Sequence, residues 1–186
     1  MIIKNNLVLH GISINGHSEL VFNKSTYQSK GLNMAKATFG AGCFWHPQHV
    51  FDQLTGVSMT LVGYMGGTKS DPSYEEVCSG STGHVEVVQL EYDPNKISYE
   101  SLLDVLWKIH DPTQLNRQGP DFGTQYRSVI FFHDSEQEQI ARSSIKRLVD
   151  AEKFNNDIVT AIEPAATFWE GEDYHQKYLE KRYNYN

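Results

Sequence analysis

From Met34 onward the apolar residues switch between two rhythms, and the order of the switches predicts the fold. Ala37-Thr38-Phe39 is a short extended run that ends in Gly40 and Gly42. Pro47 suits the first turn of a helix. Val50, Phe51 and Leu54 give that helix an apolar face before Gly56 stops it. Val57 to Tyr64 reads as a strand closed by Gly66-Gly67, and a long loop with Pro72, Ser79, Gly80 and Gly83 follows. Through Val85 to Tyr92, Val85, Val87 and Gln89 fall on one side and Glu86, Val88 and Leu90 on the other, until Asp93-Pro94-Asn95 turns the chain.

Ser98 then caps a helix whose Leu102, Val105, Leu106 and Ile109 recur at helical spacing. A loop rich in Gly, Pro and Asn leads to the buried run Ser128-Val129-Ile130-Phe131-Phe132. Ser135 with Glu138 has the form of a capping box, opening a helix on Ala141, Ile145 and Leu148. Ile158 to Ile162 is the last expected strand, broken by Pro164, and the tail from Tyr174 is expected to be a short helix. The order βαββαβ predicts an α/β (α+β) protein with a ferredoxin-like split βαβ core, an added helix and strand, and long loops.

Residues 1–33 stand apart. They are polar, with brief apolar stretches at Leu7-Val8-Leu9 and Leu20-Val21-Phe22. They read as a disordered extension or as a stretch before a true start at Met34, the second being preferred. Residues 34–186 form the expected domain.

Composition narrows the function. The 186 residues are 39% hydrophobic and 21% charged, a globular balance. The formal charge of −7 and the scattered basic residues argue against nucleic acid. No apolar run reaches the ~20 residues a membrane helix needs, and no signal-peptide pattern opens the chain. Two cysteines make no disulfide framework; they suit a reducing cytoplasm, which is the expected location.

Cys43 is the first candidate for chemistry. It lies where a strand ends in Gly40-Ala41-Gly42 and a helix begins, so free backbone N–H groups and the helix dipole should favour its thiolate. The plain alternative is a small buried hydrophobe, and local sequence leaves the two about level. Glu86 is the second candidate. On the face shared with Val88 it would be a carboxyl in apolar surroundings, with a raised pKa suited to a general acid; a surface glutamate on an edge strand is the equal alternative. A third cluster, from Asp111 to Arg127, is a polar loop of the kind that serves function or is disordered, the first being preferred for its aromatic and charged content. A fourth, Glu172-Asp173-Tyr174-His175-Gln176, offers His175 as base, ligand or structural hydrogen-bonder, the last being the preferred reading. Cys43, His46 and His49 share a helical face, but one helix seldom supplies a converging zinc cage and Pro47 interrupts it, so no metal is expected.

Taken together these stretches resemble the A-type methionine sulfoxide reductases, the peptide-methionine (S)-S-oxide reductases. The resemblance spans Met34 to Tyr178. It is carried by Gly42-Cys43-Phe44-Trp45, Gly63-Tyr64-Met65-Gly66-Gly67, Tyr74 to Glu86, Tyr92-Asp93-Pro94, His110-Asp111-Pro112-Thr113, Gly123 to Ser128 and Tyr174-His175-Gln176. It implies Cys43 as nucleophile and Glu86 as the acid that protonates the sulfoxide oxygen. It implies Tyr74 and Tyr126 as hydroxyls holding that oxygen, Phe44 and Trp45 as an apolar pocket for the methyl group, and Asp121 as a carboxylate orienting the substrate.

The implied reaction reduces the S epimer, free or in oxidised proteins, and leaves a sulfenic acid on Cys43. No bound cofactor is implied, only an external thiol, thioredoxin or glutaredoxin with glutathione. A monomer is expected. Two departures stand out. Many members read Gly-Cys-Phe-Trp-Gly with a glutamate shortly after, where this chain has His46-Pro47-Gln48; and the tail Lys181 to Asn186 lacks the resolving cysteines of many members. Cys78 is then the one internal candidate for a resolving thiol, at a position unusual for that role. The competing expectation is a thiol hydrolase built on Cys43, His175 and Asp121 or Asp111.

Overall fold

The computed structural model describes residues 34–183; the N-terminal extension expected at 1–33 lies outside the described residues. The first elements are β1 (Ala35–Gly40), α1 (Trp45–Asp52), β2 (Val57–Met65), α2 (Tyr74–Cys78), β3 (Val85–Tyr92) and α3 (Tyr99–Ile109). Then come β4 (Arg117–Gln118), β5 (Asp121–Phe122), a 3₁₀ turn at Thr124–Tyr126, β6 (Val129–Phe132), α4 (Ser135–Asp150), β7 (Ala161–Pro164), β8 (Trp169–Glu170) and α5 (Tyr178–Tyr183).

The main sheet runs β7-β6-β1-β3-β2-β8. Its central four strands, β6-β1-β3-β2, are antiparallel throughout, and β3 fills the gap that the β1–α1–β2 crossover leaves. This is the expected split βαβ core. β7 extends it parallel to β6, and β8 extends the other edge antiparallel to β2.

Strand alternation decides what each face touches. Ala37, Phe39, Val88, Leu90 and Ile130 face Phe51 of α1 and Leu102, Leu103 and Leu106 of α3. Met65, Val85, Val87, Val129 and Phe131 pack on the opposite face, against Phe168. Burial of each large aliphatic is worth roughly 1.5–3 kcal/mol, so a one-residue slip of β3 would forfeit several such terms at once. The same alternation puts Glu86 on the face of Val88, paired in register with Tyr64 of β2.

The helix starts show where local signals hold. Ser98 accepts from Ser101 N at 3.1 Å, as expected. The expected Ser135/Glu138 box does not form: Asp134 is the cap, accepting from Gln137 N at 2.8 Å. Glu138 instead pairs with Arg142 one turn on. A carboxylate one residue earlier outcompetes the hydroxyl for the free N–H groups. The strand expected at 158–162 forms instead at Ala161–Pro164; Pro164 ends it without loss because β7 is an edge strand. The tail helix starts at Tyr178, four residues later than expected.

Three elements arise where the sequence placed no helix or strand: α2, the β4–β5 hairpin and β8. The first had a signal. Ser73-x-x-Glu76 is a full capping box, with Glu76 N donating to Ser73 Oγ and Ser73 N to Glu76 Oε2.

Candidate active site

The site forms where β1 hands over to α1. Gly40 lies so close to Val85 and Val129 that a Cβ would sit 2.7 and 2.8 Å from their Cγ1 atoms. Gly42 turns the chain at φ +85°, and a Cβ there would lie 2.6 Å from Gln118 Cβ of β4. Cys43 follows, partly buried and with its thiol free.

The first free amides of α1 are both occupied within the site. Phe44 N donates to Glu86 Oε2 at 3.1 Å, and the Trp45 amide faces the Cys43 sulfur. Glu86 is only 1% exposed. Burial pushes its carboxyl up to about 7, against the Phe44 N–H that favours the carboxylate, and Asp121 adds to the rise. The acid form is thus well populated near neutrality.

Cys43 departs from expectation. Burial pushes its thiol up to about 12; the Trp45 N–H opposes this, while Glu86, Asp121 and Cys78 reinforce it. The helix start does favour the thiolate, as predicted from sequence, but the loss of solvent outweighs it. At rest the sulfur is a protonated thiol, and any charge removed from Glu86 or Asp121 eases its ionisation.

Asp121, on β5, acts on Cys43, Glu86 and Tyr126 through its charge, which places it at the same site. Tyr74, in the first turn of α2, has its phenol driven upward by burial and by its bond to the Cys78 sulfur one turn on. Tyr126, in the 3₁₀ turn, is driven upward by burial and then by Glu86. Both phenols therefore keep their protons and remain donors. Cys78 ends α2, partly buried; burial raises its thiol as well, against the bond from Tyr74.

The aromatic wall is continuous. Phe44, Val62, Tyr64 and Val77 are buried together, with Trp45, Tyr74 and Trp169 packed on them. His175 lies within this wall, 2% exposed, with ring centroids 4.5 Å from Tyr74 and 5.1 Å from Phe44. Its Nδ1 accepts the Trp45 indole N–H at 3.1 Å. Among the described residues the ring makes no hydrogen bond to Cys43, and its Nδ1, the nitrogen bonded here, is taken by Trp45.

Glu172, which sequence reasoning left without a role, organises the wall. Its two oxygens accept from Tyr64 Oη and Tyr74 N, both at 2.8 Å. Gln176 is another such residue. It accepts from Val62 N at 3.0 Å and donates to Val62 O and Gly171 O at 2.8 Å, extending β2 like a strand. Both sit in the singled-out C-terminal cluster, but nothing local shows that it folds back on β2.

The departure at His46-Pro47-Gln48 is accommodated. Gln48 is buried and binds Thr60 O and Lys177 N at 3.3 and 2.8 Å, tying α1 to β2 and to the C-terminal segment.

A family model described as Peptide methionine sulfoxide reductase matches residues 35–186. The Peptide methionine sulfoxide reductase MsrA of Geobacter metallireducens is 59% identical over 149 residues, 80% of this chain and 92% of that protein. Among solved structures, Mxr1 from Saccharomyces cerevisiae in reduced form aligns with a TM-score of 0.75 at 37% identity, covering 80% of this chain and 85% of that one. Mxr1 in complex with Trx2 aligns at 0.57 and 24% identity over 83% and 91% of the two chains, a likeness of fold. Matched over the whole sheet and the site it carries, the chain belongs to the peptide methionine sulfoxide reductases of the MsrA type, and it is an oxidoreductase.

Proposed function

We propose that this protein reduces the S epimer of methionine sulfoxide, free and in oxidised proteins, with Cys43 as nucleophile and Glu86 as proton donor. The observation that carries the reading is the pairing at the β1–α1 turn: a buried carboxyl held near 7 and bonded to the amide of the residue after the thiol. Phe44 and Trp45 receive the methyl group on the aromatic wall. Tyr74 and Tyr126 donate to the sulfoxide oxygen, and Asp121 orients the rest of the substrate.

The electron count is complete. Cys43 sulfur attacks the sulfoxide sulfur as Glu86 gives its proton to the oxygen, and the thiol proton restores Glu86. Two electrons pass from Cys43, the thioether leaves, and the oxygen stays as a sulfenic acid on Cys43. An incoming thiol condenses with that acid, forming a mixed disulfide and water. A second thiol displaces Cys43 and completes the cycle.

An external reductant supplies these thiols, thioredoxin or glutaredoxin with glutathione. Mxr1 is seen in complex with Trx2, which supports a thioredoxin. The setting is a reducing cytoplasm, with the chain acting as a monomer apart from nucleic acid and membranes; among the described residues no helix is long and apolar enough to cross a membrane. The decisive assay supplies each purified sulfoxide epimer with dithiothreitol, thioredoxin or glutaredoxin in turn. Only the S epimer should be consumed, and Cys43→Ser should consume neither. Consumption of the R epimer alone would overturn the assignment.

A further inference from the structure

We propose that His175 is a positioning residue: as a neutral imidazole protonated on Nε2, it accepts the Trp45 indole N–H and thereby sets the ring that admits a methyl sulfoxide and excludes larger ones. The inference rests on the reading above that Trp45 lines the methyl pocket.

Donor chemistry fixes the tautomer. An indole nitrogen only donates, so Nδ1, at 3.1 Å from it, must carry the lone pair. The single proton of the neutral ring then sits on Nε2. That atom is buried, has no hydrogen-bond partner among the described residues, and lies 4.0 Å from Glu172 Oε2. The carboxylate stabilises a proton on that side of the ring, and its own oxygens are held by Tyr64 Oη and Tyr74 N. The backbone is held too, because His175 N donates to Glu172 O at 2.8 Å.

Trp45 is then held at one face and at its N–H edge. Tyr178 of α5 stacks on the indole at 3.9 Å between centroids and 15° between planes, which sets its plane. Stacking leaves rotation within that plane free; the bond to His175 removes it. A second proton on His175 would have to enter at Nδ1, opposite the indole N–H, where two donors would meet. The groups facing the ring are Glu172 and Glu75, whose charges favour that proton, and the aromatic rings of Phe44, Trp45, Tyr74 and Tyr174. Burial opposes it more strongly and holds the imidazole below its usual range.

The test compares His175→Phe, which keeps the packing without the acceptor, with His175→Asn, whose Oδ1 reproduces Nδ1. The Trp45 indole ¹⁵N–¹H resonance, assigned through Trp45→Leu, reads the bond directly. Competition between methionine sulfoxide and ethionine sulfoxide reads the pocket. His175→Phe should move the indole proton upfield, raise KM for the methyl substrate about tenfold with kcat changed much less, and narrow the methyl preference. His175→Asn should restore the resonance and the preference. If His175→Phe does not fold, His175→Asn carries the test alone, and loss of both readouts in that variant overturns the proposal. So does an unmoved resonance or an unchanged preference in folded His175→Phe. If Trp45→Leu itself leaves the methyl preference intact, the pocket reading fails instead.

Discussion

Glu86 shows how one side chain can be costly for the fold and useful for chemistry. Its carboxyl is raised from 4.5 to about 7 because β3 buries it. A raised carboxyl is favoured by the fold in its protonated form. The stability it allows is therefore full below about 4.5 and is lost as pH rises through about 7. At about 1.4 kcal/mol per pH unit, a carboxyl moved this far costs the fold roughly 3 kcal/mol at pH 8. Glu86→Gln should recover much of that, seen as a higher denaturant midpoint at pH 8 and little change at pH 4. The same variant should lose roughly a hundred- to ten-thousandfold in kcat, the usual contribution of a positioned acid. With Glu86 intact, the reductase rate should fall as pH rises through about 7, where the donor form disappears. A rate that climbs there towards the Cys43 pKa would show that thiol ionisation, and not Glu86, limits the reaction.

At the scale of elements, the β1–α1 turn and the β4–β5 hairpin form one unit. Gly42 makes the contact, since its positive φ and the Gln118 side chain across from it leave no room for a Cβ. Gln118 in turn is held by Asp111, whose N donates to Gln118 Oε1 and whose O accepts from Nε2, at 3.1 and 3.0 Å. Gly42→Ala should cost about 1–2 kcal/mol for the backbone conformation alone, and the contact with Gln118 adds to it. It should also push the hairpin, with Asp121, away from Cys43. Thermal denaturation checks the first effect, and a raised KM in the folded fraction checks the second. The turn was legible in the chain because a glycine pair before a helix has few readings. The hairpin was not, because two-residue strands leave no periodicity to detect. Helix α2 falls between these cases: its capping box was written at Ser73 and Glu76, but five helical residues, Tyr74–Cys78, are too few to show an apolar rhythm.

Across the whole molecule, the C-terminal segment closes the site from a distance. Gln48, Gln176 and Lys177 bind it to α1 and β2, with Lys177 Nζ reaching Asp52 and Thr60. Cys78 stands close enough to Cys43 for a thiolate there to oppose the ionisation of Cys43, yet its sulfur is engaged by Tyr74 within α2. With thioredoxin supplied, Cys78→Ser should retain nearly all multiple turnover; a stall after one turnover would identify Cys78 as the resolving thiol. By itself the sequence determined the split βαβ core and the face on which Glu86 lies, since strand alternation and helical spacing are local and each burial favours one register. Its ordered motifs also carried the family. Tertiary structure alone decided the ionisation of Cys43, because solvent exclusion overrides a helix terminus only once the walls are assembled. It alone likewise brought Glu172, His175 and Gln176 to the site, because contacts spanning 98 to 130 residues leave no trace in local pattern.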